Sequence, residues 1–213
     1  DFEDFYTYTS SCYLDKEIIF SSDLSELKEC RASLYTNKRT KDYLINDFEN
    51  IYQLEINYPY KEQNVKTILD IVIIDHKNKI IKGVDLKTGA PKAEEFSKNF
   101  FSFKYYLQAT LYQKALEYFN DIQFNGEYTV ESFRFLYLCR TDIKYPLVYK
   151  VPQKWLDAGM KGFVTSSGFK YKGVNELIDE LKWHKETKLF EFPKKLYENL
   201  ELELEDFYIN VNE

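Results

Sequence analysis

The sequence has 213 residues, of which 44% are hydrophobic, 30% charged and 18% aromatic, with only seven glycines and five prolines. This composition excludes disordered, collagen-like and low-complexity chains, which have fewer aromatic residues or far more Gly and Pro. No run of about 18 apolar residues is present, and the first residues are acidic where a secretory signal is basic. We therefore expect a single-domain, soluble, cytoplasmic protein that does not enter a membrane.

Charge is distributed unevenly along the chain. The net charge is −6, yet residues 140–195 hold 12 basic and 7 acidic side chains, whereas residues 196–213 hold six acidic and no basic ones. A locally basic segment can attract a polyanion even when the total is negative, although a merely solvated face is an equal alternative. Lys161, Lys170 and Lys172 lie in a stretch rich in Gly and Ser, and they are our candidates for contacts with DNA.

The three cysteines do not predict a metal cluster or a disulfide framework. Cys12, Cys30 and Cys139 are far apart, odd in number and without a Cys-x-x-Cys pair. An iron–sulfur cluster held by four cysteines is excluded by this count. We expect all three to be buried thiols.

The predicted elements begin with a helix. Asp23 as N-cap and Glu26 three positions later match a capping box, followed by apolar residues up to Leu34. A short second helix is predicted over residues 41–48, with Thr40 as its cap. Residues 51–60, 65–75 and 79–87 are rich in Ile, Val and Tyr and predict a meander of three strands.

The second half of the chain is predicted to add helices and two more strands. Residues 100–119 carry apolar side chains at helical spacing and predict one buried helix. Strands are predicted near residues 127–140 and 145–151, and helices over 153–160, 174–185 and 194–200. The fold class is α+β, with a core of about residues 50–151 and a helical extension over 152–213.

One hairpin holds the chemically informative residues. If its turn is centred between Lys77 and Asn78, Asp70 faces Asp85 across the two strands. Like charges opposed in this way are destabilising, and a shared cation would remove that cost. Lys87 is two residues beyond Asp85 and points from the same face of its strand.

Two carboxylates and one ammonium in one place suit hydrolysis of a phosphodiester. Asp70, Asp85 and the Leu86 backbone carbonyl would supply oxygen ligands to Mg²⁺ or Mn²⁺. The metal would activate water, while Lys87 would orient the nucleophile and stabilise the transition state. From spacing alone, a lone strand aspartate beside a surface Asp–Lys pair is the alternative interpretation.

The order of these residues resembles a known family. Asp70, then Asp85-Leu86-Lys87-Thr88-Gly89, then Gln108 and Tyr112 four apart on a helix are similar to the PD-(D/E)xK nuclease superfamily, and most to its RecB-like branch with the phage RecE (exonuclease VIII) type. The match covers about residues 54–119. The resemblance implies a restriction-endonuclease-like core, a central mixed β-sheet flanked by helices.

The resemblance also implies roles for individual residues. Asp70, Asp85 and Lys87 take the catalytic positions, and Gln108 and Tyr112 line the active site, where they orient the lysine or contact DNA. Glu55, on the strand before the hairpin, is a tentative further metal ligand.

The implied function is that of a metal-dependent deoxyribonuclease, in particular an exonuclease in phage or prophage DNA recombination, replication or repair. Its substrate is DNA, its location the host cytoplasm if it is phage-encoded, and a recombinase or single-strand annealing protein as partner and a homo-oligomer are both compatible with it. RecB-like members usually carry a His or Glu on an upstream helix, and neither His76 nor His184 is positioned for that role. A catalytically inactive nuclease-fold subunit for DNA binding or assembly is the alternative function.

Overall fold

The computed structural model describes residues 21–199, with side chains from residue 23 onward. Its centre is a six-stranded mixed sheet in the order β1-β2-β3-β5-β6, with β4 also beside β3. β3 runs parallel to β4 and β5, and the other neighbouring strands are antiparallel. The strands are β1 (Glu49–Tyr60), β2 (Gln63–Asp75), β3 (Ile80–Gly89), β4 (Thr129–Val130), β5 (Arg134–Cys139) and β6 (Leu147–Lys150).

Helices cover both faces of this sheet, as the α+β prediction required. The described residues form α1 (Ser21–Thr36), α2 (Phe96–Ser102), α3 (Tyr105–Phe124), α4 (Gln153–Lys161), α5 (Val174–Thr187) and α6 (Lys194–Glu198). Short 3₁₀ turns occupy Lys41–Tyr43 and Ala93–Glu95, and a small separate hairpin joins β7 (Phe163–Val164) to β8 (Lys170–Tyr171). None of the helices in residues 21–199 is both long and apolar enough to cross a lipid bilayer.

The sheet separates two hydrophobic clusters. The larger one packs against α2, α3 and α4 and includes Ile56, Leu69, Val72 and Phe135. The smaller one packs against α1 and includes Ile71, Ile73, Val84 and Leu136. Because side chains alternate along a strand, Asp85 and Lys87 of β3 face α3, whereas Val84 and Leu86 face the α1 side.

The β2–β3 hairpin has the predicted register. Five residue pairs form, from Asp75–Ile80 at the turn to Ile71–Val84. Asp75 fixes the four-residue loop, since its carboxylate accepts hydrogen bonds from the Asn78 backbone amide at 3.0 Å and the Asn78 side chain at 2.7 Å. The ladder ends at Ile71–Val84, one step before Asp70 and Asp85, so these two acids do not form the directly opposed strand pair that we predicted.

The β1–β2 ribbon contains a matched irregularity. Its pairing passes from Tyr52–Ile71 directly to Leu54–Leu69, which leaves Gln53 and Asp70 out of the ladder. Gln53 has a positive φ of 51°, in the left-handed region. Both strands therefore change the face on which their apolar residues lie at the same place.

Three local predictions differ from the structure. The predicted helix over residues 100–119 is divided between α2 and α3, because Lys104 adopts a φ of +55° between them. α1 begins at Ser21, so Asp23 lies in its first turn and is not the N-cap. Thr40 does not cap a helix over 41–48; its hydroxyl donates to the Leu34 carbonyl at 2.5 Å, and only a 3₁₀ turn follows.

The cysteine prediction is confirmed for Cys139, which is buried, while Cys30 is half-buried against the smaller cluster. Cys12, the residue at position 200 in the last predicted helix, and most of the acidic tail lie outside the described residues.

Candidate active site

Asp85 is at the centre of the site. Its residue is 3% exposed, on the side of β3 that faces α3. Gln108 of α3 donates from Nε2 to Asp85 Oδ1 at 3.1 Å, and Lys87 Nζ lies 2.7 Å from Asp85 Oδ2. Three of the five predicted catalytic residues are therefore in direct contact.

The environment of Asp85 disfavours its charged form. Burial raises the pKa of Asp85 from 3.8 to about 6, and the nearby charge of Asp70 acts in the same direction. The Lys87 ammonium and the Gln108 amide partly oppose this rise in pKa. A carboxyl with a pKa raised by burial beside a specific charge partner is typical of functional sites.

Lys87 is held between its carboxylate partner and two aromatic rings. Its ammonium lies 4.9 Å from the ring centre of Tyr105 and 5.9 Å from that of Phe135. Attraction to the ring faces keeps the charged amine in place inside a largely apolar wall. Neither ring was predicted from the sequence, because an aromatic residue on a helix or strand carries no signal for a contact so distant in sequence.

Asp70 lies where β2 and β3 separate. Its Oδ2 accepts a hydrogen bond from the Leu86 amide at 2.8 Å, and its Oδ1 accepts one from Gln53 Nε2 at 2.9 Å. Asp70 also borders a cavity of about 820 Å³ on the α1 side. The two acids thus flank the Asp85–Leu86 segment of β3, Asp85 from the α3 side and Asp70 from the gap between the strands.

The oxygens at this segment fit a hard divalent cation. Asp85 Oδ2 is buried and receives no hydrogen bond from the described residues, because Lys87 Nζ, although near, lies outside hydrogen-bond angles. Such an oxygen is normally satisfied by a donor or a cation. Within residues 21–199, no three His, Cys, Asp or Glu side chains gather into a metal site. The candidate ligands are therefore two carboxylates and the Leu86 carbonyl.

Two predicted residues lie near this centre without bonding to it. Tyr112 packs edge-on against Phe133, with 5.4 Å between the ring centres. Glu55 is exposed on β1, where it forms an ion pair of 2.7 Å with Lys66 and accepts a hydrogen bond from Asn57. The structure thus gives Glu55 a partner other than Asp70 or Asp85.

The three lysines predicted to contact DNA lie on the C-terminal elements. Lys161 is exposed in the last turn of α4. Lys170 pairs with Glu176 at 3.0 Å, and Lys172 pairs with Glu180. Two of the three charges are therefore partly neutralised by α5.

Helix α1 brings an acidic residue to the site that the sequence analysis assigned to a helix cap. Glu26 lines the same cavity as Asp70, and its carboxylate binds the Arg140 guanidinium at 2.8 Å and 3.3 Å. This contact with Arg140 lowers the pKa of Glu26. An acid on an upstream helix is thus present beside Asp70. The capping-box spacing hid its position.

No family model matches the sequence, and no curated protein is significantly similar to it. Among solved structures, the chain is similar to a provisionally assigned exonuclease from Eubacterium rectale, with a TM-score of 0.55 and 13% sequence identity. The similarity covers 99% of this chain and 74% of that one. The fold is nuclease-like. At this level of identity the likeness concerns the architecture, a central, mostly antiparallel sheet flanked by helices.

Proposed function

We propose that this protein is a divalent-metal-dependent deoxyribonuclease of the RecB-like kind, an exonuclease that acts on linear DNA in phage or prophage recombination, replication or repair. The observation that carries the proposal is the buried Asp85 carboxylate, in contact with Lys87 and Gln108 and adjacent to the backbone amide that binds Asp70. A structural protein has no need for a buried acid that lacks a full set of hydrogen-bond donors.

Asp70, Asp85 and the Leu86 carbonyl would hold Mg²⁺ or Mn²⁺, ions that prefer oxygen ligands. When bound, such an ion lowers the pKa of water and polarises the phosphoryl oxygen. The other residues position these groups. Gln108 orients one carboxylate, and Gln53 together with the Leu86 amide orients the other.

Lys87 supplies positive charge beside the acids. Its ammonium is fixed by Asp85 and by the rings of Tyr105 and Phe135, so it requires little rearrangement to stabilise negative charge that develops on a phosphate. Since an Asp85 with a pKa of about 6 is mostly ionised above pH 7, the charged pair exists under neutral conditions.

The exonuclease part of the proposal has a weaker basis than the nuclease part. It is supported by the similarity to the RecE type and by the exonuclease assignment of the Eubacterium rectale protein, which shares this fold. Comparison of linear with circular DNA as substrates tests it, since an exonuclease requires a free end.

The experiment is degradation of linear duplex and single-stranded DNA by the purified protein with Mg²⁺, with Mn²⁺ or with EDTA. We expect cleavage with either metal and none in EDTA. Lys87→Ala should reduce the rate about 10² to 10³-fold, the usual effect of removing one group that stabilises transition-state charge. The matched control is Lys114→Ala, a lysine that pairs only with Glu117 on the exposed side of α3.

Two outcomes contradict the proposal. If neither metal supports cleavage and both variants retard DNA equally on a gel, the protein is a nuclease-fold DNA-binding or assembly subunit. If circular DNA is cut as fast as linear DNA, the nuclease proposal stands and the exonuclease proposal is wrong.

A further inference from the structure

Phe103 is exposed beside the candidate active site. Its residue is 64% exposed, in the corner that connects α2 to α3. The corner is held by Lys104, whose φ of +55° directs the chain abruptly into α3. A single exposed apolar residue is ordinary, so the argument depends on what this ring contacts.

The Phe103 ring is connected to Lys87 by one other side chain. Its centre lies 5.6 Å from that of Tyr105, at an angle of 35° between the rings. The Lys87 ammonium lies 4.9 Å from the same Tyr105 ring. An aromatic surface therefore extends from the amine of the site to solvent.

Positive charge lies beside this aromatic surface. Ser102 and Lys104 line an open groove of about 1010 Å³, whose other walls include Lys170, Lys172 and Lys195. Aromatic rings that stack on bases, combined with lysines that follow the phosphates, are the usual construction of a site for single-stranded DNA. An exposed ring next to a phosphate-binding amine fits a nucleotide, since base and phosphate are neighbours in the same molecule.

We propose that Phe103 stacks on an unpaired base of a single-stranded DNA end, while the adjoining phosphate lies at Lys87. This inference rests on the proposed nuclease function. A base within a duplex is already stacked on both faces, whereas an unpaired base has a free face for the ring. Phe103 thereby makes single-stranded ends the preferred substrate.

The test measures binding of a labelled single-stranded oligonucleotide and of the blunt duplex of the same sequence, by fluorescence anisotropy in EDTA. We expect Phe103→Leu, which keeps an apolar side chain but removes the ring, to raise the single-strand Kd about tenfold, as for the loss of one base–aromatic stack. The duplex Kd should change less than about threefold. Phe103→Trp should keep the single-strand Kd within about twofold of that of the unmodified protein.

Two further measurements separate stacking from a general structural effect. Phe190→Ala removes a ring with similar exposure, 61%, from the C-terminal region, and it should leave both Kd values unchanged. The added tryptophan in Phe103→Trp should lose fluorescence when single-stranded DNA is bound, after subtraction of the signal from Trp155 and Trp183 in the unmodified protein.

The outcomes distinguish this inference from the proposed function. If the unmodified protein degrades linear DNA with metal but Phe103→Leu binds single strands normally, or the Trp fluorescence does not change, the stacking role is wrong and the nuclease proposal stands. If DNA is bound with the expected Phe103 dependence but never degraded, stacking is supported and turnover is contradicted. If the unmodified protein neither binds nor degrades DNA, both proposals fail.

Discussion

At the scale of single residues, Asp85 and Asp75 show how two acids on one hairpin affect stability in opposite ways. Burial raises the pKa of Asp85 to about 6, so the folded chain binds this proton more tightly than the unfolded chain does. Stability from this group therefore declines as pH rises from about 4 to about 6 and stays lower above that range. Hydrogen bonds from Asn78 lower the pKa of Asp75, so its contribution is present at neutral pH and is lost as pH falls.

This difference gives a testable prediction. We expect Asp85→Asn to increase the free energy of unfolding at pH 7.5, without metal, by about 1 kcal/mol, since each unit of pKa shift corresponds to about 1.4 kcal/mol and Lys87 loses its partner. The same variant should not cleave DNA. Asp75→Asn is the matched control and should decrease the stability. Urea denaturation at pH 4.5 and 7.5 measures both effects, and a decrease for Asp85→Asn at pH 7.5 would contradict the argument.

At the scale of elements, the packing of α4 against α3 depends on the absence of one side chain. A Cβ at Gly159 would lie 2.1 Å from Thr110 Oγ1 and 2.7 Å from the Tyr106 carbonyl oxygen. Thr110 also donates hydrogen bonds to the Tyr106 and Leu156 carbonyls, at 2.8 Å and 3.1 Å, so its hydroxyl has little freedom to move. The two helices could accept a methyl group only by separating.

We expect Gly159→Ala to reduce the free energy of unfolding by about 1 to 3 kcal/mol, the usual cost of overpacking a close contact. Lys154→Ala, on the same helix, should stay within about 0.5 kcal/mol of the unmodified protein. Thermal or urea denaturation measures the difference. An equal loss of stability in both variants would show that α4 is displaced without cost.

The elements most reliably predicted from sequence are those with a long, regular pattern. The alternation in residues 65–87 and the polar turn predicted the β2–β3 register, which five observed pairs confirm. The single helix over 100–119 was wrong because the apolar spacing continues through the corner, while only the backbone of Lys104 records the break. The 20-residue interval between Lys87 and Gln108 could be linked to one site only through the family resemblance.

Other parts of the site could not be predicted because they depend on contacts between distant segments. The position of Tyr105 under Lys87 follows from where α3 begins, and that of Glu26 beside Asp70 follows from how α1 lies on the sheet. The strand alternation treats Asp70 as an ordinary member of β2. Its displacement from the ladder becomes visible only when Gln53 of the neighbouring strand is considered.

At the scale of the whole molecule, the basic C-terminal segment is largely paired with acids of α5. Lys170 and Lys172 pair with Glu176 and Glu180 across the groove that Lys104 borders. Exposed pairs of this kind contribute little to stability, so a phosphate can replace the carboxylate at small cost. The lysines are thus available to DNA although they are paired in its absence.

We expect Lys170→Gln combined with Lys172→Gln to raise the Kd for DNA and to reduce the slope of log Kd against log salt by about one for each lysine that no longer neutralises a phosphate. Neutral glutamine avoids new repulsion from the two glutamates. Lys114→Gln, on α3, is the control and should leave the slope unchanged. Titrations between about 50 and 200 mM salt measure the slope, and equal slopes for all three proteins would contradict a role in phosphate binding.

The rung omitted from the β1–β2 ribbon has a consequence for how this protein can vary. Without Gln53 and Asp70, the strict in-and-out order of Ile51, Tyr52 and Leu54 would continue unbroken, as it would for Leu69, Ile71 and Val72 on the other strand. Deletion of one of the two alone would turn half of a strand inside out, whereas deletion of both would leave an intact, regular ribbon. The architecture can therefore dispense with this acid without harm, and a lineage that no longer needs it would be expected to shed both residues together.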